Sequence, residues 1–441
     1  MKKIKKLSSF QTIILGFAGV ILIGALLLML PFASKESGSA SFIDALFTST
    51  SATCVTGLIT QDTATYWTIF GQIIILILIQ IGGLGVVTIA TAFTMISGAK
   101  IGLLHRSTIQ GSISAPQVGG IVRLMLFAIK ITIAVELIGA LLLMPSFCSE
   151  FGAKGIWYSL FHSVSAFCNA GFDLMGVREK YSSLTSFSDN MPVNIVIMLL
   201  IIIGGIGFLT WDDIKTHKLR FKKYRMQSKV VLVTSGLLII LPAVYYFFEF
   251  SDWDMSLKEH IITALFQAVT PRTAGFSTVD LSMLKGGGMI IMIFLMLIGG
   301  SPGSTAGGLK TTTIAVLSAS AVSIFRRKKE TSLFGRRISD DIVKNAAAVL
   351  LMYIFIFLGG AIAISNIENQ PIRECMFESA SAIGTVGLSL SLTPTLGTVS
   401  HIILIIMMFL GRVGGLTVIY AAFSGNSSNI SKLPLEKITV G

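Results

Sequence analysis

From residue 69 to residue 96 the chain carries no charge. A run of about 18 or more apolar residues can cross the hydrocarbon of a bilayer as a helix. In lipid the backbone must satisfy its own hydrogen bonds, which leaves helices and closed barrels as the only spanning structures. Comparable runs occupy 12–30, 193–209, 230–248 and 402–423. Only 13% of the 441 residues are charged, where a soluble domain carries about 25%. The chain therefore reads as an all-α integral membrane protein. The apolar run behind MKKIKK has no small-residue cleavage site before Ser34, so it reads as a retained helix rather than a leader.

The net charge of +12 follows from topology. Alternate hydrophilic stretches (1–9, 98–122, 211–229, 326–344 and 425–441) together carry +16, and those between them carry −7. The positive-inside rule puts the basic set and both termini in the cytoplasm of a plasma-membrane protein. Nucleic acid is not needed to explain the basicity. The loops 215–229 and 326–344 read either as solvated faces beside anionic membrane lipid or as a dock for a cytosolic partner. The four cysteines form no CxxC pair and the five histidines no HExxH, so neither a disulfide framework nor a zinc site is expected. Paired membrane carboxylates are also missing, and the chain does not read as an enzyme.

Four segments repeat: ALFTSTSATCVTGL (45–58), SLFHSVSAFCNAGF (159–172), ALFQAVTPRTAGF (264–276) and CMFESASAIGTVGL (375–388). Each runs from a phenylalanine through small and hydroxyl residues to a glycine, at Gly57, Gly171, Gly275 and Gly387. The third copy is one residue shorter. An apolar helix flanks each copy on both sides. The unit is thus helix, re-entrant pore loop, helix, and four units give eight transmembrane helices plus four re-entrant pore helices. The unit boundaries fall at 1–99, 100–217, 218–327 and 328–441. Ser41 with Asp44 and Ser256 with Glu259 fit capping boxes, and Pro371 suits a first helical turn. Each pore helix would then point its partially negative C-terminus into the membrane, where four together stabilise a cation.

After each pore helix the chain must return through irregular backbone, tolerated at that depth only in protein or beside a water-filled cavity. Val55, Thr56 and Gly57, Asn169, Ala170 and Gly171, Thr273, Ala274 and Gly275, and Thr385, Val386 and Gly387 supply that backbone. Glycine brings no Cβ and accepts positive φ, so strands can converge and present carbonyls. Rings of carbonyl oxygen can replace an ion's hydration shell. No carboxylate lies in these strands, which favours a monovalent cation.

On these four glycines and their flanking blocks the chain resembles the Ktr/Trk/HKT superfamily of potassium transporters, over nearly its whole length. The resemblance implies a pseudo-fourfold ring of the four units. It places the filter at the four glycines, and it implies potassium as the ion, since relatives with serine at the first position favour sodium. The length and the single helix before the first pore loop resemble a Ktr-type membrane subunit. That implies a homodimer above a separate ring of cytosolic nucleotide-binding regulatory subunits of the RCK/KTN type, with no cofactor bound by this chain and sodium as a candidate activator. The segment 431–441 would lie at the dimer contact.

The stretch IGGSPGSTAGGLK (298–310) misses the Walker A pattern by one residue, because Leu309 separates Gly308 from Lys310. It also lacks a preceding soluble strand. Gly299 follows Gly275 by 24 residues, as Gly411 follows Gly387, while Gly82 follows Gly57 by 25. Gly204 departs from this, at 33 residues after Gly171. A break at that depth unwinds the helix beneath the filter. Gly299, Gly300, Ser301, Pro302, Gly303, Ser304, Thr305, Ala306, Gly307, Gly308 and Lys310 are expected to form a plug that can move aside. In the family the matching segment is an intramembrane gate. Lys310 by itself reads as an interface residue. Arg412 interrupts the last apolar helix and is a functional candidate, which the resemblance places beside the gate. Arg272 is expected behind its strand. The alternative to a gated conduit is a Na+-coupled K+ symporter. Proton coupling would have only Glu136 to use as a membrane relay.

Overall fold

The computed structural model describes residues 9–35, 38–96, 108, 110, 119–218 and 220–415. The expected boundary at 99/100 and the 431–441 tail lie outside these residues. Four long apolar helices, Ser9–Leu28, Ile121–Phe151, Met226–Glu249 and Asp340–Glu368, each lead into a short one. The short helices are Phe42–Thr53, Lys154–Cys168, Leu257–Val269 and Ile372–Gly384. Each packs against the long helix before it. The repeated phenylalanines Phe47, Phe161, Phe266 and Phe377 are fully buried. Three of the four seams share one hydrogen bond, from Ser49 to the Ile21 carbonyl, from Ser163 to that of Glu136 and from Ser379 to that of Phe357, at 2.6–2.7 Å.

The helix starts follow their signals with two adjustments. Ser256 and Glu259 make a complete capping box. Ser41 accepts from the Asp44 amide, but its hydroxyl bonds the Asp44 carboxylate, so the reciprocal backbone bond is not formed. Pro371 occupies the N-cap rather than the first turn.

Two of the second helices bend where the sequence reads as a plain apolar run, and the third is interrupted where a break is expected. Ile69–Leu84 bends by 96° into Val86–Ala92, and Met191–Gly205 bends by 95° into Phe208–His217. Gly85 and Gly207 sit in the bends at φ 87° and 89°. The third, Gly286–Leu297, gives way to the 298–310 loop before Thr311–Phe325 begins. The fourth, Thr398–Val413, ends at Gly414 with φ 88°. Hydropathy does not register the first bend because both of its arms are apolar, whereas the second bend leads from an apolar arm into one that carries Asp212, Asp213 and Lys215. Among the described residues four helices are long and apolar enough to cross a membrane, or six when each bent pair counts once. Leu141, Leu241, Ile290 and Phe355 are each more than 60% exposed on the outer faces. Such a band is unfavourable in water and suits hydrocarbon.

Candidate functional site

All four short helices end the same way. Two residues before each repeat glycine the backbone turns left-handed: Val55 at φ 58°, Asn169 at 60°, Thr273 at 63° and Thr385 at 52°. Three of these are β-branched, for which this region is disfavoured. Such a conformation is unfavourable by about 1–3 kcal/mol and persists only where the surroundings enforce it. The glycines turn positive again, at φ between 69° and 96°.

The glycines close a ring. A methyl on Gly57 would lie 2.5 Å from the Ala170 carbonyl, one on Gly171 2.8 Å from that of Ala274, and one on Gly275 2.5 Å from that of Val386. A methyl on Gly387 would strike the Thr56 carbonyl, which completes the circuit. No side chain fits between neighbouring strands at this level.

Hydroxyls inside the short helices tie the strands down, and the sequence reading missed them. Ser51 accepts from the Gly57 amide and Ser381 from that of Gly387, both at 3.0 Å. Ser165 donates to the Phe172 carbonyl at 2.6 Å, and Thr270 to that of Phe276 at 2.5 Å. Their signal was present as the hydroxyl-rich stretch between each phenylalanine and glycine. A cleft of about 90 Å³ on one side of the ring is lined by the four glycines, Thr63, Asp173 and Tyr181.

The 298–310 loop lies against the other side. Gly307 presses on the Thr385 side chain, and a methyl on Gly308 would be 2.8 Å from the Gly384 carbonyl. Several backbone groups of the loop are partnered. Gly300 bonds Gly307 at 3.3 Å, Ser301 and Thr305 bond the Gly205 and Gly204 carbonyls at 3.1 and 3.3 Å, and Phe208 bonds the Gly303 carbonyl at 2.8 Å. The Thr305 hydroxyl is 3.1 Å from both the Phe167 carbonyl and the Asn169 side chain. Arg412 donates to the carbonyls of Thr305 and Gly82, so it joins the loop to the first unit. Beyond the loop a cavity of about 220 Å³ is lined by Phe17, Phe208, Lys310, Tyr353 and Arg412.

Some placements differ from expectation. Lys310 does not reach for an interface; its ammonium bonds the loop's own Ala306 and Gly307 carbonyls at 2.9 and 3.3 Å. Gly204, which its spacing set apart, matches Gly82 and Gly411 in space. Gly82 leaves room for the Thr53 carbonyl, Gly204 for that of Phe167 and Gly411 for that of Ile383, each in the last turn of a short helix. The longer spacing is taken up by the loop after Gly171, which holds the turns Met175–Val177 and Thr185–Phe187. Arg272 turns away from the ring to the Ser235 hydroxyl at 2.9 Å and its carbonyl at 3.2 Å. Residues 299–303 also have the spacing G-x-S-x-G of a hydrolase nucleophile turn, which the sequence reading overlooked. Ser301 is buried there, 3.3 Å from the Thr311 hydroxyl, with no histidine among its partners.

The model of the TrkH family, described as cation transport protein, matches residues 3–432. The chain is 41% identical to Ktr system potassium uptake protein B of Bacillus subtilis over 95% of its own length and 94% of the relative's. It is 40% identical to the potassium/sodium uptake protein NtpJ of Enterococcus hirae, over 99% and 98%. The crystal structure of the potassium transporter TrkH from Vibrio parahaemolyticus superposes with a TM-score of 0.75 at 18% identity, covering 95% of this chain and 85% of that one.

Proposed function

The chain belongs to the TrkH family of cation transport proteins, whose members are membrane transporters and not enzymes, and from that premise we propose that it is the ion-translocating membrane subunit of a Ktr-type potassium uptake system. The observation that carries this reading is the closed ring of Gly57, Gly171, Gly275 and Gly387. Left-handed backbone at alternate residues turns successive carbonyls to one side of a strand. Four such strands around one axis offer an ion oxygen ligands without a carboxylate, and fixed dipole rings of this kind suit potassium. The four short helices act as re-entrant pore helices, and with each broken second helix counted as one span the molecule has eight transmembrane helices in four units.

The 299–310 segment is the gate, with Arg412 as its latch. Its position between ring and cavity supports this, as does the dependence of its closed form on a few reversible hydrogen bonds. Potassium is the substrate, sodium a candidate activator, and the chain itself holds no cofactor. It works as a homodimer in the plasma membrane, both termini cytoplasmic. A separate nucleotide-binding ring of the RCK/KTN type docks on the basic loops 215–229 and 326–344. A second reading, potassium moving coupled to sodium, is favoured by the likeness to the Enterococcus relative, a potassium/sodium uptake protein.

The test is rubidium uptake into liposomes holding this chain, loaded with potassium, with and without external sodium. We expect uptake without sodium in the native chain. Gly57→Ser should gain sodium flux, because a side chain there meets the Ala170 carbonyl and opens the ring. Uptake seen only with sodium would instead support coupling. A Gly57→Ser protein with native selectivity would remove the filter assignment.

A further inference from the structure

Glu136 takes no part in the pathway described above, yet its side chain is buried in the Ile121–Phe151 helix, with the residue 6% exposed. An ionisable group buried in a membrane-spanning helix is unfavourable to place, and such groups mark function by default. Packing does not require it. The carbonyls of Ile21, Glu136 and Phe357 accept the same serine bond in three units, so the seam forms equally well with an apolar side chain.

What distinguishes Glu136 is what lies at its tip. The Gln80 amide donates to its Oε2 at 3.1 Å. The Cys168 thiol is 3.6 Å from its Oε1 and 3.6 Å from the Gln80 Oε1. Cys168 is the last residue of its short helix and directly precedes Asn169, where the second strand begins. A methyl on Gly83 would lie 2.6 Å from the Cys168 sulfur, so the thiol is also boxed in from the first unit. Cys54, Arg272 and Gly384 hold the matching position in the other repeats, and of these Arg272 is anchored by Ser235. The inner end of the second strand is thus backed by two helices at once, one from its own unit and one from the first.

We propose that Glu136 and Gln80 form a polar strut behind Cys168 that holds the inner end of the second filter strand and so sets potassium over sodium discrimination there. The proposal rests on reading the Gly171 strand as one wall of the filter. A carbonyl ring favours the larger ion only while its strands are kept from closing onto the smaller one. Neither residue touches the ion; both are positioning residues. The enclosure also argues against a proton relay, because Glu136 lines neither the cleft above the ring nor the cavity beyond the loop.

The test compares Rb+ and Na+ uptake into liposomes by the full chain and by Glu136→Gln, Glu136→Leu, Gln80→Leu and the double leucine variant. Glu136→Gln keeps a hydrogen-bonding partner for Gln80 and should retain the native Rb+/Na+ ratio. Each leucine variant should lose on the order of tenfold in that ratio. Its KM for Rb+ should rise, with the maximal rate within about twofold of native. The double variant should be no worse than either single one, since one strut is lost in all three. Native ratios in both leucine singles would overturn the proposal. So would a Glu136→Gln protein as unselective as Glu136→Leu, which would point to the charge or the proton instead. If Glu136→Leu fails to insert, Gln80→Leu decides alone. A native chain that moves no Rb+ would count against the transport reading rather than the strut.

Discussion

A valine at φ 58° resists its own backbone, and Val55 shares that condition with Asn169, Thr273 and Thr385. What holds Val55 there is one residue in the helix behind it. The Ser51 hydroxyl takes the Gly57 amide, and its carbonyl takes the Thr56 amide at 2.8 Å. Removing the hydroxyl leaves a buried N–H without a partner, which is unfavourable by about 1–3 kcal/mol. Ser51→Ala should therefore lower both Tm and Rb+/Na+ selectivity, and Ser381→Ala should do the same through Gly387. A fall in Tm with selectivity intact would mean that the clamp is structural only. Asp173, one residue beyond Phe172, sets a different property. Burial raises its carboxyl to about 7; the Met175 amide opposes this, and the Asp62 carboxylate adds to it. The group is neutral below that pH and charged above it. A charge at the cleft attracts cations, so Rb+ uptake at low concentration should rise roughly two- to fivefold between pH 6 and 8. Asp173→Asn should flatten the profile, and an unchanged profile would assign the dependence elsewhere.

At the scale of elements, the loop at 298–310 is a helix that the sequence interrupts and the neighbouring elements then hold. Its hold on the first unit passes through Arg412, which bonds the Thr305 and Gly82 carbonyls. A hydrogen bond from a charged donor contributes about 1.5–3 kcal/mol, so Arg412→Gln should raise open-state flux by roughly tenfold or more. Deleting residues within 301–307 should raise flux further, and neither change should abolish insertion. Unaltered flux in a correctly inserted deletion variant would exclude a gating role. The four glycines were legible because the Phe-to-Gly block repeats at nearly fixed length, and a fixed length is what four equivalent turns demand. The bends at Gly85 and Gly207 were not, since hydropathy reports which side a residue avoids and is blind to direction. Gly204 was set apart by its spacing from Gly171, although its role depends on the Phe167 carbonyl it faces. Lys310 was misread because its partners are carbonyls of its own loop, made available only by the unwinding.

Across the whole molecule, one arrangement joins the charge pattern to the ring. The alternating stretches that sum to +16 and −7 assign a side to every loop, and the ring's cleft with Asp173 lies among the acidic set. Potassium drawn inward by the membrane potential would meet that cleft first, then the ring, then the loop, and last the cavity beyond it. The order can be tested without any transport assay, because the chain supplies its own probe. Cys54, Cys168 and Cys375 are buried, whereas Cys148 is partly exposed near the end of the Ile121–Phe151 helix. The proposed topology puts Cys148 outside and the exposed Ser332, in the basic 326–344 loop, inside. A membrane-impermeant maleimide applied to intact cells should label the native chain, and Cys148→Ser should remove that label. Ser332→Cys in the Cys148→Ser background should react only after the membrane is opened. The reverse pattern would turn the molecule over: the loop would then face the outside and the ring the cytoplasm, and the whole sequence of cleft, ring and gate would run against the potential it is proposed to use.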